Sequence, residues 1–302
     1  MCWALLNEDQ EWAERSGMTK GKSGADSLSG QGHKMGCWAG GMIEPSPRGS
    51  MGFGGGTNGP WGRGPMLQLN ANARRFCNEA AVPLIGDAVK RQPKGIMCLV
   101  TDRNFMRSVE AAGLEHGGPN YGRPVYYEDT EADMKKVLGT GAKGFAVTGC
   151  TVAERSTVTV YGANTLEELA GYLGYTGDLV RTFVASIKRY NELCHAGVDS
   201  DFGKDAKAMI SVDEAPFYGC KGQNSGVMMM MGLGGLATMS GLMCDDKLRV
   251  LNKDGKPING LFAAGNTLGG RYGLGYSTPF AGNSIGMALT HGWLAGKYAA
   301  GI

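Results

Sequence analysis

The sequence predicts an α/β fold in which glycine-rich pieces at both ends of the chain flank an inserted mixed segment. Three observations support this prediction. Glycine accounts for 51 of the 302 residues, more than twice its usual share of about 7%. Near the C-terminus, the apolar strand Leu261–Ala264 leads into a glycine-dense loop, after which a helix runs from Gly282 to Ala300. Between the glycine-rich ends, Pro93–Ala215 carries the clearest helical periodicity.

The first 92 residues combine short elements with an irregular stretch rich in glycine and proline. Helices are predicted over Trp3–Ser16 and Gln31–Gly41, and the second has small residues on one face. Glycine and proline in residues 43–65 oppose regular structure. Two short strands are predicted over Met66–Asn70 and Arg74–Asn78, joined by a hairpin-like turn.

The middle of the chain alternates strands and helices. Its predicted elements are a strand at Gly95–Thr101, a helix at Asn104–Ala112 capped by Asp102, a helix at Thr130–Leu138 and a strand at Thr157–Tyr161. Thr165 and Glu168 have the spacing of a capping box, which predicts a short helix ending near Leu173. Apolar residues at helical spacing predict a longer helix over Asp178–Cys194.

The C-terminal part predicts a binding site built largely from backbone. An extended piece at Pro216–Tyr218 and the methionine run Met228–Met231 precede a strand and turn over Leu248–Ile258. Glycine in the loop of Gly260–Ala300 allows a flat or anionic ligand to approach the main chain. The following helix start offers free N–H groups with partial positive charge. Taken alone, this pattern fits any α/β ligand-binding loop.

Composition argues against several classes of function. The 30 Lys and Arg residues nearly balance the 28 Asp and Glu residues, and no basic run indicates nucleic acid binding. The eight cysteines contain no C-x-x-C pair, so we expect reduced thiols and no metal site. We expect a cytoplasmic protein without a membrane segment, because no apolar run has transmembrane length. Any targeting signal would lie upstream.

Several separated stretches resemble one flavoprotein family, the FAD-dependent fumarate reductases and 3-ketosteroid dehydrogenases. KPINGLFAAGNTLGG and AGNSIGMALTHGWLAGKYAA resemble its C-terminal flavin-binding segment. ANTLEELAGYLGY and the following helix resemble the end of its substrate-capping domain. LSGQGHKMGCWAGGMIEP and LNANARRFCNE resemble the FAD-domain stretches before the cap. The resemblance covers about residues 27–302 in the family's order.

The resemblance implies a discontinuous, truncated Rossmann-like FAD-binding domain with an inserted α+β substrate-capping domain. FAD-binding segments would occupy residues 1–92 and 216–302, and the cap would occupy residues 93–215. The family begins with a βαβ unit whose GxGxxG loop holds the FAD pyrophosphate. We find no such unit here. Gly52–Gly56 is the nearest candidate, but no apolar strand precedes it.

The resemblance also assigns residues to the FAD cofactor. Gly265 and Asn266 would lie beside the ribityl–phosphate region, where many relatives carry a carboxylate at the position of Asn266. Four residues at the start of the last helix would lie at the pyrimidine edge of the isoalloxazine: Gly282, Asn283, Ser284 and Ile285. The alternative interpretation is an ordinary capped helix packed on a sheet.

Departures from the family pattern bear on the substrate. The positions of two arginines and a histidine that bind fumarate in relatives fall on Pro83, Pro279 and near Met231. Because a dicarboxylate needs cationic partners, these losses disfavour fumarate reduction. A shift in the alignment could restore one cation, such as Arg271 or Arg75, but hardly all three.

Apolar and phenolic residues replace these cations. By analogy with ketosteroid dehydrogenases, Tyr276 is predicted as the catalytic acid or base, because a phenol can transfer a proton next to an enone. The alternative is a tyrosine that packs against flavin or core. Four further residues are predicted to bind substrate: Tyr272, Met231, Tyr126 and Tyr127. No histidine is assigned a catalytic role.

The resulting hypothesis is an FAD-dependent oxidoreductase that acts on an activated carbon–carbon bond. Its substrate would be a small, apolar, enone-type compound such as a steroid, and its electron partner is left open. The alternative is an inactive or non-autonomous fragment that needs a partner chain to supply the dinucleotide-binding unit.

Overall fold

A computed structural model of the chain describes residues 31–45, 50–51, 65–81, 88–89, 91–112, 132–137, 144–148, 157–224, 237–238, 240–272 and 282–302. The chain divides into two compact units. The first unit comprises residues 1–53 and 227–302, and the second comprises residues 54–226. The helix predicted over Trp3–Ser16 and the glycine stretch Gly52–Gly56 lie outside the described residues. The division into domains at residues 92 and 215 stays a prediction.

Five helices and nine strands are named here, in chain order within each class. The helices are α1 Gln31–Trp38, α2 Phe105–Glu110, α3 Leu166–Leu173, α4 Asp178–Ala196 and α5 Asn283–Ala299. The strands are β1 Ser50–Met51, β2 Leu67–Leu69, β3 Gly95–Thr101, β4 Phe145–Thr148, β5 Thr157–Ala163, β6 Phe217–Asn224, β7 Ala237–Thr238, β8 Arg249–Leu251 and β9 Pro257–Phe262. Residues 132–137 are also helical, within the predicted helix Thr130–Leu138.

The second unit contains an antiparallel sheet of five strands in the order β2-β3-β6-β5-β4. Alternate residues of β3 point to opposite faces of the sheet. Cys98 and Val100 belong to a core with α3 and α4, whereas Leu99 packs in a second core with Phe105 and Val109 of α2. Both faces of the sheet are therefore buried, which explains the continuous apolar run of β3.

The helical pair α3–α4 follows the sequence prediction closely. The Thr165 side chain accepts a hydrogen bond from the Glu168 N–H at 3.2 Å, so the predicted cap is confirmed. On α4, the residues predicted to form the apolar stripe include the buried Phe183, Ile187 and Tyr190. These side chains pack in the same core as β3. Local sequence signals were sufficient to predict these two helices, because the cap of α3 and the apolar periodicity of α4 each lie within a short stretch of sequence.

The predicted strand at Arg74–Asn78 is wrong. Only Arg75 makes a bridge, to Leu69, and the other residues of the segment belong to no strand or helix. The predicted turn before it is present, with the Asn70 N–H donating to the Arg74 carbonyl at 3.0 Å and Ala73 at φ +54°. The segment leaves the sheet because the Arg75 side chain enters a buried ionic network described below.

Two further element boundaries differ from the prediction. The strand predicted at Leu261–Ala264 begins earlier, as β9, and pairs with β8. Asp102 accepts from the Asn104 N–H at 2.8 Å, but it also accepts from the Asp213 and Glu214 N–H groups at 3.0 Å. Asp102 therefore ties the end of β3 to the chain before β6, whereas the N-cap residue of α2 is Asn104, without a side-chain cap.

The first unit is built from short ladders around a small core. Strand β1 pairs with β7, and β8 pairs with β9, both antiparallel. Leu242 bridges to Leu268 in parallel and packs with Val250 and Ala263 in the core. The described parts thus confirm a mixed helix and strand structure. A truncated Rossmann-like domain and an inserted cap remain proposals.

Two features are absent from the described residues. None of the helices in this part of the chain is both long and apolar enough to cross a membrane. The same residues contain no group of three or more His, Cys, Asp or Glu side chains placed to hold a metal ion.

Candidate functional site

The predicted cofactor loop contacts the last helix through a glycine. Gly265 begins a 3₁₀ turn with Asn266 and Thr267 and has φ +61°. A Cβ atom at Gly265 would lie 3.2 Å from the Cβ of Ala288 on α5, closer than ordinary contact. Both the backbone conformation and the close approach therefore favour glycine at this position.

Asn266 connects the two predicted cofactor segments. Its Oδ1 atom accepts one hydrogen bond from the Ser284 hydroxyl and one from Nη1 of Arg271, each at 2.9 Å. Asn266 and Ser284 are 18 positions apart in sequence, and both were predicted from family resemblance alone. The structure therefore brings together the carbonyl group, the hydroxyl group and a guanidinium group at one place in the first unit.

The loop is also held from its other side by residues 240–242. The Leu242 N–H donates to the Thr267 carbonyl at 2.8 Å, and the Gly269 N–H donates to the Leu242 carbonyl at 2.9 Å. Gly241 lies directly against this backbone, and a Cβ atom there would come within 2.3 Å of the Leu268 carbonyl carbon. Because backbone cannot yield as a side chain does, this position requires glycine.

Replacing Gly241 with alanine should therefore displace the cofactor loop. We expect a loss of about 1–3 kcal/mol in stability, as for other overpacked sites. Hydrogen exchange at the Leu242 and Gly269 amides would report the change. Gly286 on α5 is the control, because a Cβ atom there meets nothing within 4 Å. Gly286→Ala should be neutral or stabilise by about 0.5–1 kcal/mol. If both amides of the Gly241→Ala variant keep the protection that they have in the unmodified chain, the packing argument is contradicted.

The start of α5 carries the other predicted cofactor residues. Gly282 has φ +75° and makes no side-chain cap, and the Ser284 hydroxyl points to Asn266 instead of capping the helix. Asn283 is half-buried, whereas the Ile285 side chain is 70% exposed. Among the described residues, no side chain caps this end of the helix, and a helix start of this kind suits an anionic or strongly polar ligand.

Three side chains at this loop have no role assigned from the sequence, namely Arg271, His33 and His291. The Arg271 guanidinium packs over the Tyr272 ring at 4.9 Å from its centroid. Burial lowers the pKa of His33 and of His291, and the charge of Arg271 lowers both further. For His33 the Ser240 carbonyl partly opposes this. Sequence reasoning missed both histidines because each occurs singly, without a motif.

Four of the predicted site residues lie outside the described residues. These are Tyr276, Met231, Tyr126 and Tyr127, and their roles stay predictions. Tyr272 is among the described residues, and its ring lies under the Arg271 guanidinium. The positions Pro83 and Pro279, which bear on fumarate, also lie outside the described part.

The second unit contains a buried ionic network around Arg75. Its guanidinium donates two hydrogen bonds to Glu79, both at 2.9 Å, and two to Asp199, at 2.9 and 2.7 Å. Lys204 is fully buried and lies 3.2 Å from Glu79. The rings of Tyr190 and Phe202 lie 4.9 and 5.0 Å from the guanidinium carbon. Arg75 is therefore committed to two internal carboxylates and is a poor replacement for a substrate-binding arginine.

A cleft of about 710 Å³ opens beside this network. Four arginines are among its lining residues, together with side chains of α4: Arg74, Arg75, Arg181 and Arg189. Arg181 is paired with Asp178, and Arg189 with Asp201 and Glu192. The cleft lies within the second unit, whereas the predicted cofactor residues lie in the first. We therefore place the candidate site at the loop of Gly265–Tyr272 and the start of α5.

Comparisons with known proteins bear on the family of the chain. A family model described as the FAD binding domain matches residues 23–285. The vinyl phenol reductase of Lactiplantibacillus plantarum is 31% identical over 79% of this chain and 43% of its own length. The 3-oxosteroid 1-dehydrogenase of Mycobacterium tuberculosis is 28% identical over 72% of this chain and 42% of its own length.

A solved structure shares the fold. The 3-ketosteroid-Δ4-(5α)-dehydrogenase of Rhodococcus jostii aligns with a TM-score of 0.62 and 18% identity, over 98% of this chain and 50% of that one. This chain thus spans about half or less of the length of the proteins it is similar to. At 18% identity, the structural match shows the fold alone.

Proposed function

Because the chain belongs to the FAD binding domain family of flavoproteins, we propose that it is an FAD-dependent oxidoreductase acting on an activated carbon–carbon bond. FAD is the cofactor of this family. The substrate we propose is an apolar compound of enone or ene type, since relatives include enzymes named for vinyl phenols and 3-oxosteroids. The observation that carries the proposal is the hydrogen bond between Asn266 and Ser284, which joins two segments that the family resemblance assigns to the flavin.

The residues present fit the flavin end of FAD. Gly265 and Gly282 adopt left-handed conformations without a side chain, so a ligand can approach the backbone on either side of the loop. His33 offers a buried ring nitrogen, Nδ1, that has no hydrogen-bond partner in the described part of the chain. Buried polar atoms are normally satisfied, so this nitrogen indicates room for a polar ligand group.

The proposed division of labour follows from these positions. When bound, FAD supplies the site that accepts or donates hydride. Asn266 orients the ribityl–phosphate side through its side-chain carbonyl group, which accepts a hydrogen bond from the Ser284 hydroxyl. The N–H groups of Asn283, Ser284 and Ile285 favour negative charge at the pyrimidine edge, because the helix dipole is positive there. Gly265 lets the loop lie close to α5.

Substrate handling is assigned to the phenolic and apolar residues. Tyr276 would hold and transfer the proton at carbon next to the polarised carbonyl. Tyr272, Met231, Tyr126 and Tyr127 would line the substrate site, where methionine adapts to bulky apolar shapes. Fumarate stays disfavoured in this proposal. Of the two cations that a shifted alignment would offer, Arg75 is saturated by Glu79 and Asp199.

An absorbance spectrum of the purified chain tests the proposal. A flavin band at near stoichiometric occupancy, either as isolated or after adding FAD, is the expected result. A colourless protein that does not take up FAD would contradict the proposal for this chain alone.

A second candidate is a chain that binds FAD only when a partner polypeptide supplies the dinucleotide-binding unit. One observation favours it: none of the residues of α5 is buried. Ile285, Leu289 and Trp293 follow one stripe of this helix and are 63–71% exposed. A stripe of this kind normally packs against another element. Under this candidate, a GxGxxG-bearing polypeptide added to the chain should restore flavin binding.

A further inference from the structure

Arg271 carries a charge that the described protein does not balance. Its side chain is half-buried, and Nε donates to the Leu268 carbonyl at 2.8 Å while Nη1 donates to Asn266 at 2.9 Å. A third contact, from Nη2 to the Asn266 carbonyl, is long at 3.5 Å. Within the described ranges, Arg271 forms no ion pair with a carboxylate. Of the five guanidinium N–H groups, at least two are available to a ligand.

His33 approaches the same loop from α1. It is only 1% exposed, and its Nε2 atom lies 3.2 Å from the Ser240 carbonyl. Ser240 lies two residues before Leu242. The backbone of Leu242 is hydrogen-bonded to the loop at Thr267 and Gly269. Because a carbonyl can only accept, Nε2 carries the proton. The Nδ1 atom then presents a lone pair that finds no partner in the described part of the chain.

His291 approaches from α5. It lies seven residues after Ser284 and three after Ala288, and therefore on the helix face that contacts the loop. Ser284 is bonded to Asn266, and Ala288 lies against Gly265. The Nδ1 atom of His291 is buried and, among the described residues, also lacks a hydrogen-bond partner. Burial lowers the pKa of both imidazoles, and the charge of Arg271 lowers each further.

We propose that Arg271, His33 and His291 form a binding subsite for a phosphorylated polyol group. The chemistry of the three side chains selects this class of ligand. The guanidinium supplies a positive charge and paired N–H donors for phosphate oxygens. The neutral imidazoles supply acceptors for hydroxyl groups, which a simple inorganic anion lacks. The inference rests on the proposed function, in which the group is the ribityl phosphate of FAD.

Titration with FAD and with riboflavin, followed by flavin fluorescence, tests the subsite. Riboflavin has the polyol but no phosphate. Arg271→Gln should weaken FAD binding about 10- to 100-fold and leave riboflavin binding within twofold. Arg271→Lys, which keeps the charge, should retain most of the FAD affinity. The control is Arg249→Gln, since Arg249 lies in the same unit and is paired with Asp245 at 2.6 Å. It should change neither titration.

Two outcomes would overturn the subsite. Equal weakening of FAD and riboflavin in Arg271→Gln would mean that Arg271 only supports the loop. If the unmodified chain binds neither flavin, the proposed function fails, and titration with glycerol 3-phosphate decides the subsite separately. Binding of glycerol 3-phosphate by the unmodified chain and its loss in Arg271→Gln would support the subsite. If the unmodified chain binds neither the flavins nor glycerol 3-phosphate, the subsite is refuted.

Discussion

Replacing Arg75 with alanine is expected to destabilise the second unit by about 3–5 kcal/mol, the cost typical of breaking a buried ion pair by removing one partner. The side chain is 6% exposed, and both carboxylates it binds, those of Glu79 and Asp199, are fully buried. Without Arg75, only Lys204 would remain to balance two buried negative charges. The loss of ring contacts with Tyr190 and Phe202 adds to the cost.

The neighbouring residue supplies a matched control. Arg74 is exposed, and the structure records no ion pair for it among the described residues. Arg74→Ala should therefore change stability by less than about 0.5 kcal/mol. Unfolding in urea should be measured through hydrogen exchange at the amides of β3, because β3 belongs to the second unit. A signal from the whole chain would mix the two units if they unfold separately. Similar midpoints for the Arg74 and Arg75 variants would refute the network as a source of stability.

The same network makes the second unit sensitive to acid. Burial alone would raise the pKa of Asp199, but hydrogen bonds from Arg75 and from the backbone N–H of Lys204 outweigh it and lower the pKa to about 2. An unfolded aspartate titrates near 3.9, so the unfolded chain binds more protons between about pH 4 and pH 2. Stability should therefore fall as the pH drops through this window. Urea midpoints across these pH values should show a shallower fall in Arg75→Ala.

Local signals allowed much of the fold to be predicted from the sequence. The capping box of Thr165 and Glu168 and the apolar periodicity of α4 were sufficient because each signal lies within its own element. Strand β6 was only partly predicted, since its glycines and polar residues resemble a loop. Glycine is favoured at position 219 because a Cβ atom would lie 3.0 Å from the Leu173 side chain of α3. That reason exists only in the packed structure.

Only family motifs pointed from the sequence to residues of the candidate site. Family resemblance pointed to Asn266 and Ser284, and the structure places them in hydrogen bonding distance. It did not point to His33, which reaches the loop through Ser240, 207 positions away in sequence. Arg75 was mistaken for part of a strand for a similar reason, because its partner Asp199 lies 124 positions further on. Long-range polar pairing leaves no local pattern in a single sequence.

Tyr276 is the residue on which the proposed chemistry depends most. The family resemblance places it in the loop before α5, which begins at Asn283 next to the bond between Ser284 and Asn266. Oxidation or reduction next to a carbonyl moves a proton as well as a hydride, and the hydride is the cofactor's part. A protein group must then hold the proton, and a phenol can do so when the carbonyl is polarised. No histidine is proposed for this role, since His33 and His291 are assigned to the subsite around Arg271.

Replacing Tyr276 with phenylalanine should therefore lower kcat by about 10²–10⁴-fold, the range for loss of a general acid or base. The ring is kept, so flavin content, measured from the absorbance spectrum, should stay the same. Turnover would be measured on the FAD-loaded chain with apolar enones. Tyr298→Phe is the control, since Tyr298 packs against the core of the first unit near the end of α5. Unaltered turnover in the Tyr276 variant would remove it from the mechanism. Equal loss of flavin and turnover would instead make Tyr276 part of the cofactor site, since a pure proton-transfer residue leaves binding intact.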